Sequence, residues 1–335
     1  MRRRYTESLP ATFRKQLLAW FDLHKRDLPW RNTQDPYQIW VSEIMLQQTR
    51  VAAVLGFYER FLRRFPTVEA LASAPEQDLL TAWAGLGYYS RARNLQQAAK
   101  LIVAQGAFPK EYETLRALPG IGDYTAAAVG SIAFGLRHAV LDGNVIRVLS
   151  RLTAERGDVA SGAVRARLAE RAQTLLSPRR PGDFNQAMME LGATVCLPSQ
   201  PLCLLCPVAE ACQARKQGNQ REFPVKSRKP ISFEVEQRLF YVERPGELLM
   251  WQRPPDSRRM AGFWEFPQAE QIPGAQVLRV LGNFRHTIVN TNYRFQVVAA
   301  TVSDPGSSCC WRLREKLNEI PLSTTSKKAL RCIEI

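Results

Sequence analysis

Leu118-Pro119-Gly120-Ile121-Gly122, followed by Tyr124-Thr125-Ala126, is the stretch on which the fold of this chain turns. It separates two segments of helical periodicity. Gly120 and Gly122 let the backbone turn tightly and come close to another surface. The helix opening at about Tyr124 points unpaired N–H groups and the positive end of its dipole outward, which suits a phosphate. An ordinary interhelical turn would use the same residues, so this pattern alone leaves both readings open. Ala126-Ala127-Ala128 and Gly130 make the next helix slim, fit to pack against neighbouring backbone.

Outward from that turn, residues 1–216 read as helices. Phe13, Leu17, Leu18 and Phe21 recur at helical spacing, as do Val54, Phe57, Tyr58 and Phe61. Pro66, Pro75, Pro109 and Pro119 punctuate the segments. Residues 217–231 are polar, basic and proline-bearing, the composition of a linker. From 232 to 335 the period changes. Val235–Tyr241, the turn Arg244-Pro245-Gly246-Glu247 and Leu248–Trp251 predict a hairpin, and Tyr293–Val302 predicts a further strand. Trp311–Leu317 and Ser326–Ile333 predict helices. The expected architecture is a helical domain (1–216), a linker (217–231) and a smaller α+β domain (232–335).

At 335 residues the chain has room for two cores, and its surplus of 15 positive charges favours a polyanionic partner held in a salt-sensitive way. No stretch reaches the roughly 20 apolar residues that span a bilayer. No apolar segment follows Met1-Arg2-Arg3-Arg4-Tyr5 to make a signal peptide. Cys309, Cys310 and Cys332 show no pairing pattern. The expectation is a cytoplasmic protein, monomeric and without a membrane partner.

Cys196, Cys203, Cys206 and Cys212 enclose gaps of six, two and five residues. Thiolates so close in sequence converge readily on one iron–sulfur cluster, which takes four Cys ligands. Leu197, Pro198, Pro201 and Pro207 stiffen the run. A structural zinc also takes four thiolates. Zinc ribbons, however, usually hold two short Cys pairs well apart, and here only Cys203 and Cys206 form a close pair. Four ordinary buried cysteines are the third reading.

Two carboxylates stand out. Glu43 lies within Ile39-Trp40-Val41-Ser42-Glu43-Ile44-Met45-Leu46, where a lone carboxylate costs free energy unless it is paired or protonated. Desolvation would raise its pKa and make it a general acid near neutrality. The alternative is that it faces solvent through a gap in the apolar stripe. Asp142 follows Ala139-Val140-Leu141 and precedes another helix, the setting of an N-cap, which a cleft carboxylate can also occupy. An acid and an anion in opposed environments are the pair that breaks glycosidic bonds.

Leu118–Ala126, Leu141-Asp142-Gly143-Asn144 and the cysteine run together resemble the helix-hairpin-helix DNA glycosylase superfamily. Leu28-Pro29-Trp30-Arg31, Trp40–Thr49 and Gly85-Leu86-Gly87-Tyr88-Tyr89-Ser90-Arg91 resemble its MutY-type adenine DNA glycosylases, as does Gly262-Phe263-Trp264-Glu265-Phe266-Pro267 in the second domain. The resemblance spans nearly the whole chain. It implies an all-α helix-hairpin-helix glycosylase domain with an iron–sulfur cluster loop, followed by a Nudix-like α+β domain. The implied partner is double-stranded DNA carrying an adenine mismatch, the adenine opposite 8-oxoguanine or guanine.

Residue by residue, the resemblance makes Glu43 the acid that protonates a flipped-out adenine and Asp142 the carboxylate that stabilises the cationic sugar. Tyr124 and Asn144 become helpers that position Glu43, water or Asp142, and Arg31 lies near the base pocket. Tyr88 and Gln48 enter the stack around the opposite base, and Thr49 contacts it. Gly120 and Gly122 grip phosphate, together with a monovalent cation, and the four cysteines hold a 4Fe–4S cluster. Endonuclease III-type relatives carry Lys at the position of Tyr124 and form a Schiff base there. Tyrosine cannot, so a monofunctional glycosylase is expected.

The second domain lacks the acidic metal-binding signature of Nudix hydrolases, so recognition is its expected task. A Phe-Ser-His core that reads 8-oxoguanine in the family is replaced by Ile288, Val289 and Asn290. Valine has no hydroxyl to donate, whereas Asn290 keeps an amide, so the preference for 8-oxoguanine is expected to be weaker or differently built. Two other classes stand beside this reading: an endonuclease III-like enzyme for another base, and a non-catalytic iron–sulfur DNA-binding protein. A zinc-containing transcription factor finds no recognition helix to support it.

Overall fold

The computed structural model describes residues 2–227, 233–257, 260–288 and 290–333, with side chains from Pro10 onward. The chain forms two units, Met1–Ala72 with Asn94–Lys229, and Ser73–Arg93 with Pro230–Ile335.

In chain order the first helices are α1 (Arg2–His24), α2 (Pro36–Leu46), α3 (Val51–Arg64), α4 (Val68–Ser73), α5 (Glu76–Trp83) and α6 (Ser90–Gln105). There follow α7 (Tyr112–Arg116), α8 (Asp123–Phe134), α9 (Gly143–Thr153), α10 (Gly162–Leu175), α11 (Pro181–Thr194) and α12 (Gln213–Lys216). All but α5 and the first turn of α6 lie mainly in the first unit, whose described residues contain no strand.

The apolar spacing of α1 explains its place. Phe13, Leu17 and Phe21 share one buried cluster with Leu149 and Leu152 of α9 and Phe184, Met188 and Leu191 of α11. Each such side chain contributes roughly 1.5–3 kcal/mol on burial. The small residues of α8 admit close neighbours. A side chain at Gly182, at the start of α11, would place its Cβ 2.6 Å from the Ser131 carbonyl oxygen of α8. Gly135, at φ 69°, ends α8 in the left-handed conformation.

Within the stretch read as linker, Gln220–Glu222 forms a short 3-10 turn and Phe223 is buried. Arg151 of α9 donates to the carbonyls of Gln220 and Phe223. The polar composition of 217–231 conceals this one apolar anchor.

The second unit has strands β1 (Phe233–Tyr241), β2 (Glu243–Arg244), β3 (Glu247–Gln252), β4 (Trp264–Glu265), β5 (Gln276–Ile288), β6 (Thr291–Thr301) and β7 (Cys309–Leu313), then helix α13 (Thr324–Ile333). One sheet runs β1-β6-β5, the other β2-β3-β4 with β7 against β3. Leu239, Phe266, Val297 and Ala329 of α13 share one core cluster. The expected hairpin is different here: β1 pairs in parallel with β6 (Val235 opposite Tyr293), and only the short β2 turns back onto β3. The helix expected over Trp311–Leu317 is a strand to Leu313 and a 3-10 turn beyond it. Cys309 is buried and Cys310 exposed, a period-two pattern that Leu249 opposite Trp311 enforces and the neighbouring charges mask.

Candidate active site

A cleft of about 1850 Å3 opens in the first unit, lined from α2, α8, α9 and α11. Apolar neighbours on α2 carry Glu43 inward, and the residue is 5% exposed. Tyr124, one residue into α8, donates its hydroxyl to Glu43 Oε2 at 2.6 Å, and the Tyr124 hydroxyl oxygen also lies 3.3 Å from Met189 Sδ. Burial pushes the Glu43 carboxyl up to about 7. The Tyr124 hydrogen bond pulls it down, the Asp142 carboxylate adds to the rise, and Arg31 opposes it. Burial, with the Glu43 and Asp142 charges, holds the Tyr124 phenol protonated well above its ordinary range.

Asp142 caps α9, as its sequence setting suggests. Its Oδ1 accepts from the Val145 N–H at 2.7 Å, and Oδ2 accepts from Asn144 Nδ2 at 2.9 Å. Asn144 Oδ1 accepts in turn from Arg147 Nη2 at 2.8 Å. Helix α11 presses on this turn. A Cβ at Gly192 would stand 2.6 Å from the Asn144 Cβ.

Beside the acid, Arg31 Nη2 donates to Glu190 Oε2 at 2.8 Å, and Arg26 grips both Glu190 oxygens at 2.8 and 2.7 Å. Burial alone would raise the Glu190 pKa, but the hydrogen bonds from Arg26 and Arg31 win and hold it at about 2. Glu190, Arg26 and Arg147 belong to these networks without standing in any of the motifs of the sequence. Glu190 carried a legible signal, since it sits in Met188-Met189-Glu190-Leu191 as a lone carboxylate on an apolar helix, like Glu43.

The cleft thus gathers Arg31, Glu43, Gln48, Thr49, Gly122, Tyr124, Asp142 and Asn144. Gln48 follows α2 with φ 59°, in the left-handed region. Thr49 closes the same turn through its N–H to the Leu46 carbonyl at 3.2 Å. Gly120 lies outside the cleft lining at φ 75°, and a Cβ there would meet Asn94 Cβ at 2.7 Å. Tyr88 belongs to the second unit, 46% exposed at φ 49°, with the Arg91 guanidinium 5.5 Å from its ring. Asn290 follows β5 in that unit and offers its carbonyl to the Phe233 N–H at 3.0 Å. Val289 is outside the described residues.

The four cysteines do not line the cleft. They occupy the loop after α11, all partly buried and none in a disulfide. Burial pushes the Cys206 thiol up to about 11, and Cys196, Cys212 and Cys203 all push the same way, so the four are electrostatic neighbours. Among the described residues no group of three or more His, Cys, Asp or Glu side chains is disposed to hold a metal ion, and no helix is long and apolar enough to cross a membrane.

Residues 41–174 match the family model described as HhH-GPD superfamily base excision DNA repair protein. Among solved structures, a thermostable thymine-DNA glycosylase aligns with a TM-score of 0.58 at 29% identity, over 63% of this chain and 99% of that one. The adenine DNA glycosylase of Homo sapiens is 37% identical over 405 aligned residues, spanning 96% of this chain and 74% of its own. That of Rattus norvegicus is also 37% identical, over 97% of this chain and 78% of its own. The chain belongs to the adenine DNA glycosylase family.

Proposed function

We propose that this chain removes adenine from mismatched DNA by hydrolysing the N-glycosidic bond of an adenine flipped into the cleft, with Glu43 as the general acid. Adenine removal in base excision repair is the family's activity. The observation that carries the residue assignment is the Tyr124–Glu43 contact in a cleft shared with Asp142. A carboxyl poised near 7 is half protonated at neutral pH. Glu43 gives its proton to the purine ring, and the C1′–N9 electron pair leaves with adenine. The Asp142 carboxylate stabilises the oxocarbenium-like sugar, and Asn144 fixes that carboxylate. Water adds to C1′, and Glu43 takes its proton. Tyr124 offers no amine, so the abasic strand stays intact.

Gln48 and Tyr88 support the reading of residues that enter the base stack, because both hold strained left-handed backbones without being glycine. The 118–122 turn would hold phosphate and a monovalent cation. The second unit would recognise the base opposite adenine, with Asn290 as its polar contact.

The four thiols of Cys196, Cys203, Cys206 and Cys212, though not disposed around a single metal ion, are four soft donors gathered in one loop and would suit a 4Fe–4S cluster, which takes four Cys ligands. Such a group would tie the loop together.

The deciding experiment is single-turnover adenine release from a duplex with adenine opposite 8-oxoguanine, run beside a Glu43→Gln variant. The expected result is a loss of roughly 100-fold to 10,000-fold in the variant, with duplex binding retained and no strand cleavage without alkali. Full activity in the variant overturns the assignment of the acid. The same assay opposite guanine measures how far the Ile288-Val289-Asn290 loop still discriminates.

A further inference from the structure

Helix α9 sends two guanidinium groups onto one cysteine. Arg147 Nε donates to the Cys196 carbonyl at 2.8 Å, and Arg151 Nη1 reaches the same oxygen at 3.3 Å. Arg151 Nη1 also points at Cys196 Sγ, again at 3.3 Å. The same Nη1 also donates to the Leu197 carbonyl at 2.6 Å, while Nη2 goes to the Pro198 carbonyl (2.7 Å) and Nε to those of Gln220 (2.8 Å) and Phe223 (3.2 Å). Cys212 Sγ in turn lies 3.3 Å from the Arg151 carbonyl oxygen. The first and last cysteines of the run therefore both touch this residue.

Arg151 is 1% exposed, and among the described residues no carboxylate pairs with it. The carbonyls satisfy its N–H groups but leave its full charge uncompensated. Burying a guanidinium in that way costs several kcal/mol unless an anion sits beside it. The soft donor atom nearest this guanidinium is Cys196 Sγ, a ligand through which the charge of a bound cluster would face Arg151.

We propose that Arg151 is the counter-charge of the iron–sulfur centre and a residue that tunes its potential, acting through the Nη1–H bond to Cys196 Sγ. This inference rests on the cluster assignment above. A fixed positive charge stabilises the more negative, reduced form, so Arg151 raises the reduction potential. Its fan of bonds to residues 197, 198, 220 and 223 also ties the cluster loop to the turn that follows it.

The test compares purified iron-loaded wild type with Arg151→Met and Arg151→Lys, reading iron content, the rate of iron loss to a chelator and the potential by spectroelectrochemistry. Arg151→Met is expected to shift the potential to more negative values and weaken iron retention by roughly tenfold to a hundredfold. Arg151→Lys keeps the charge without the fork of donors, so it should shift the potential the same way by less and still lose iron faster. If the Met variant does not fold, the Lys variant decides alone. Faster iron loss at an unchanged potential would make Arg151 a purely structural brace and overturn the proposal. A wild-type protein that binds no iron would sink the cluster assignment itself, a result distinct from iron-loaded variants whose potential does not move.

Discussion

The Tyr124 hydroxyl donates to Glu43 Oε2 across 2.6 Å, and this contact works against the burial that keeps Glu43 protonated near neutrality. In the proposed mechanism Glu43 acts as an acid only in its protonated form. Single-turnover adenine release should therefore be full well below pH 7 and fall as the pH rises through about 7. Tyr124→Phe removes the hydrogen bond that lowers the Glu43 pKa, so the alkaline limb of the profile should move to higher pH. A limb that moves down, or stays where it was, would mean that another group governs it.

The same burial has a signature in stability. The unfolded carboxyl titrates near 4.5 and the folded one near 7, so the folded state binds the proton more tightly. The stabilising contribution is present below pH 4.5 and is lost as the pH rises to about 7, about 3 kcal/mol in all. Glu43→Gln cannot titrate. Urea unfolding should show the variant more stable than the parent at pH 8, with the gap closing toward pH 4. Equal differences at both values would contradict the burial argument.

Glu190 titrates in the opposite sense. Its folded pKa is about 2, so its ion pairs stabilise above pH 4.5 and fade as the pH falls toward 2. Glu190→Gln leaves Arg31 without its partner and should lower unfolding free energy at pH 7 by about 2–4 kcal/mol, the half-exposed Arg26 keeping the figure below that of a fully buried pair. Chemical denaturation at pH 7 checks it. An unmoved midpoint would show that the triad contributes nothing net.

Gly120 adopts φ 75°, and a Cβ there would press on Asn94 at 2.7 Å. Gly120→Ala should strain the turn by about 1–3 kcal/mol and weaken duplex binding by roughly tenfold. Titrations at two salt concentrations would separate a lost phosphate contact, which flattens the salt slope, from a general loss of folding. Wild-type affinity in the alanine variant would remove the turn from the DNA interface.

Much of this was legible in the sequence. The apolar frame of Glu43 foretold its burial, and the position of Asp142 before a helix foretold its cap, because both follow from local spacing. Contacts between distant segments were not. Nothing near residue 233 announces that β1 will run parallel to β6, since a parallel partner leaves no turn between neighbours to read. Trp311 looked helical because charged neighbours hid an alternation that only Leu249 makes visible. Glu190 was missed although its apolar surroundings match those of Glu43, because its two arginines stand more than 150 positions away in the chain.

Gly192 has no chemistry of its own, yet it fixes how closely α11 may approach the Asp142–Asn144 turn. A single methyl group at that spot would act as a wedge, levering the Asp142 carboxylate out of aim although no polar atom had been removed. A position that no reagent would ever find thus leaves the enzyme little room for change.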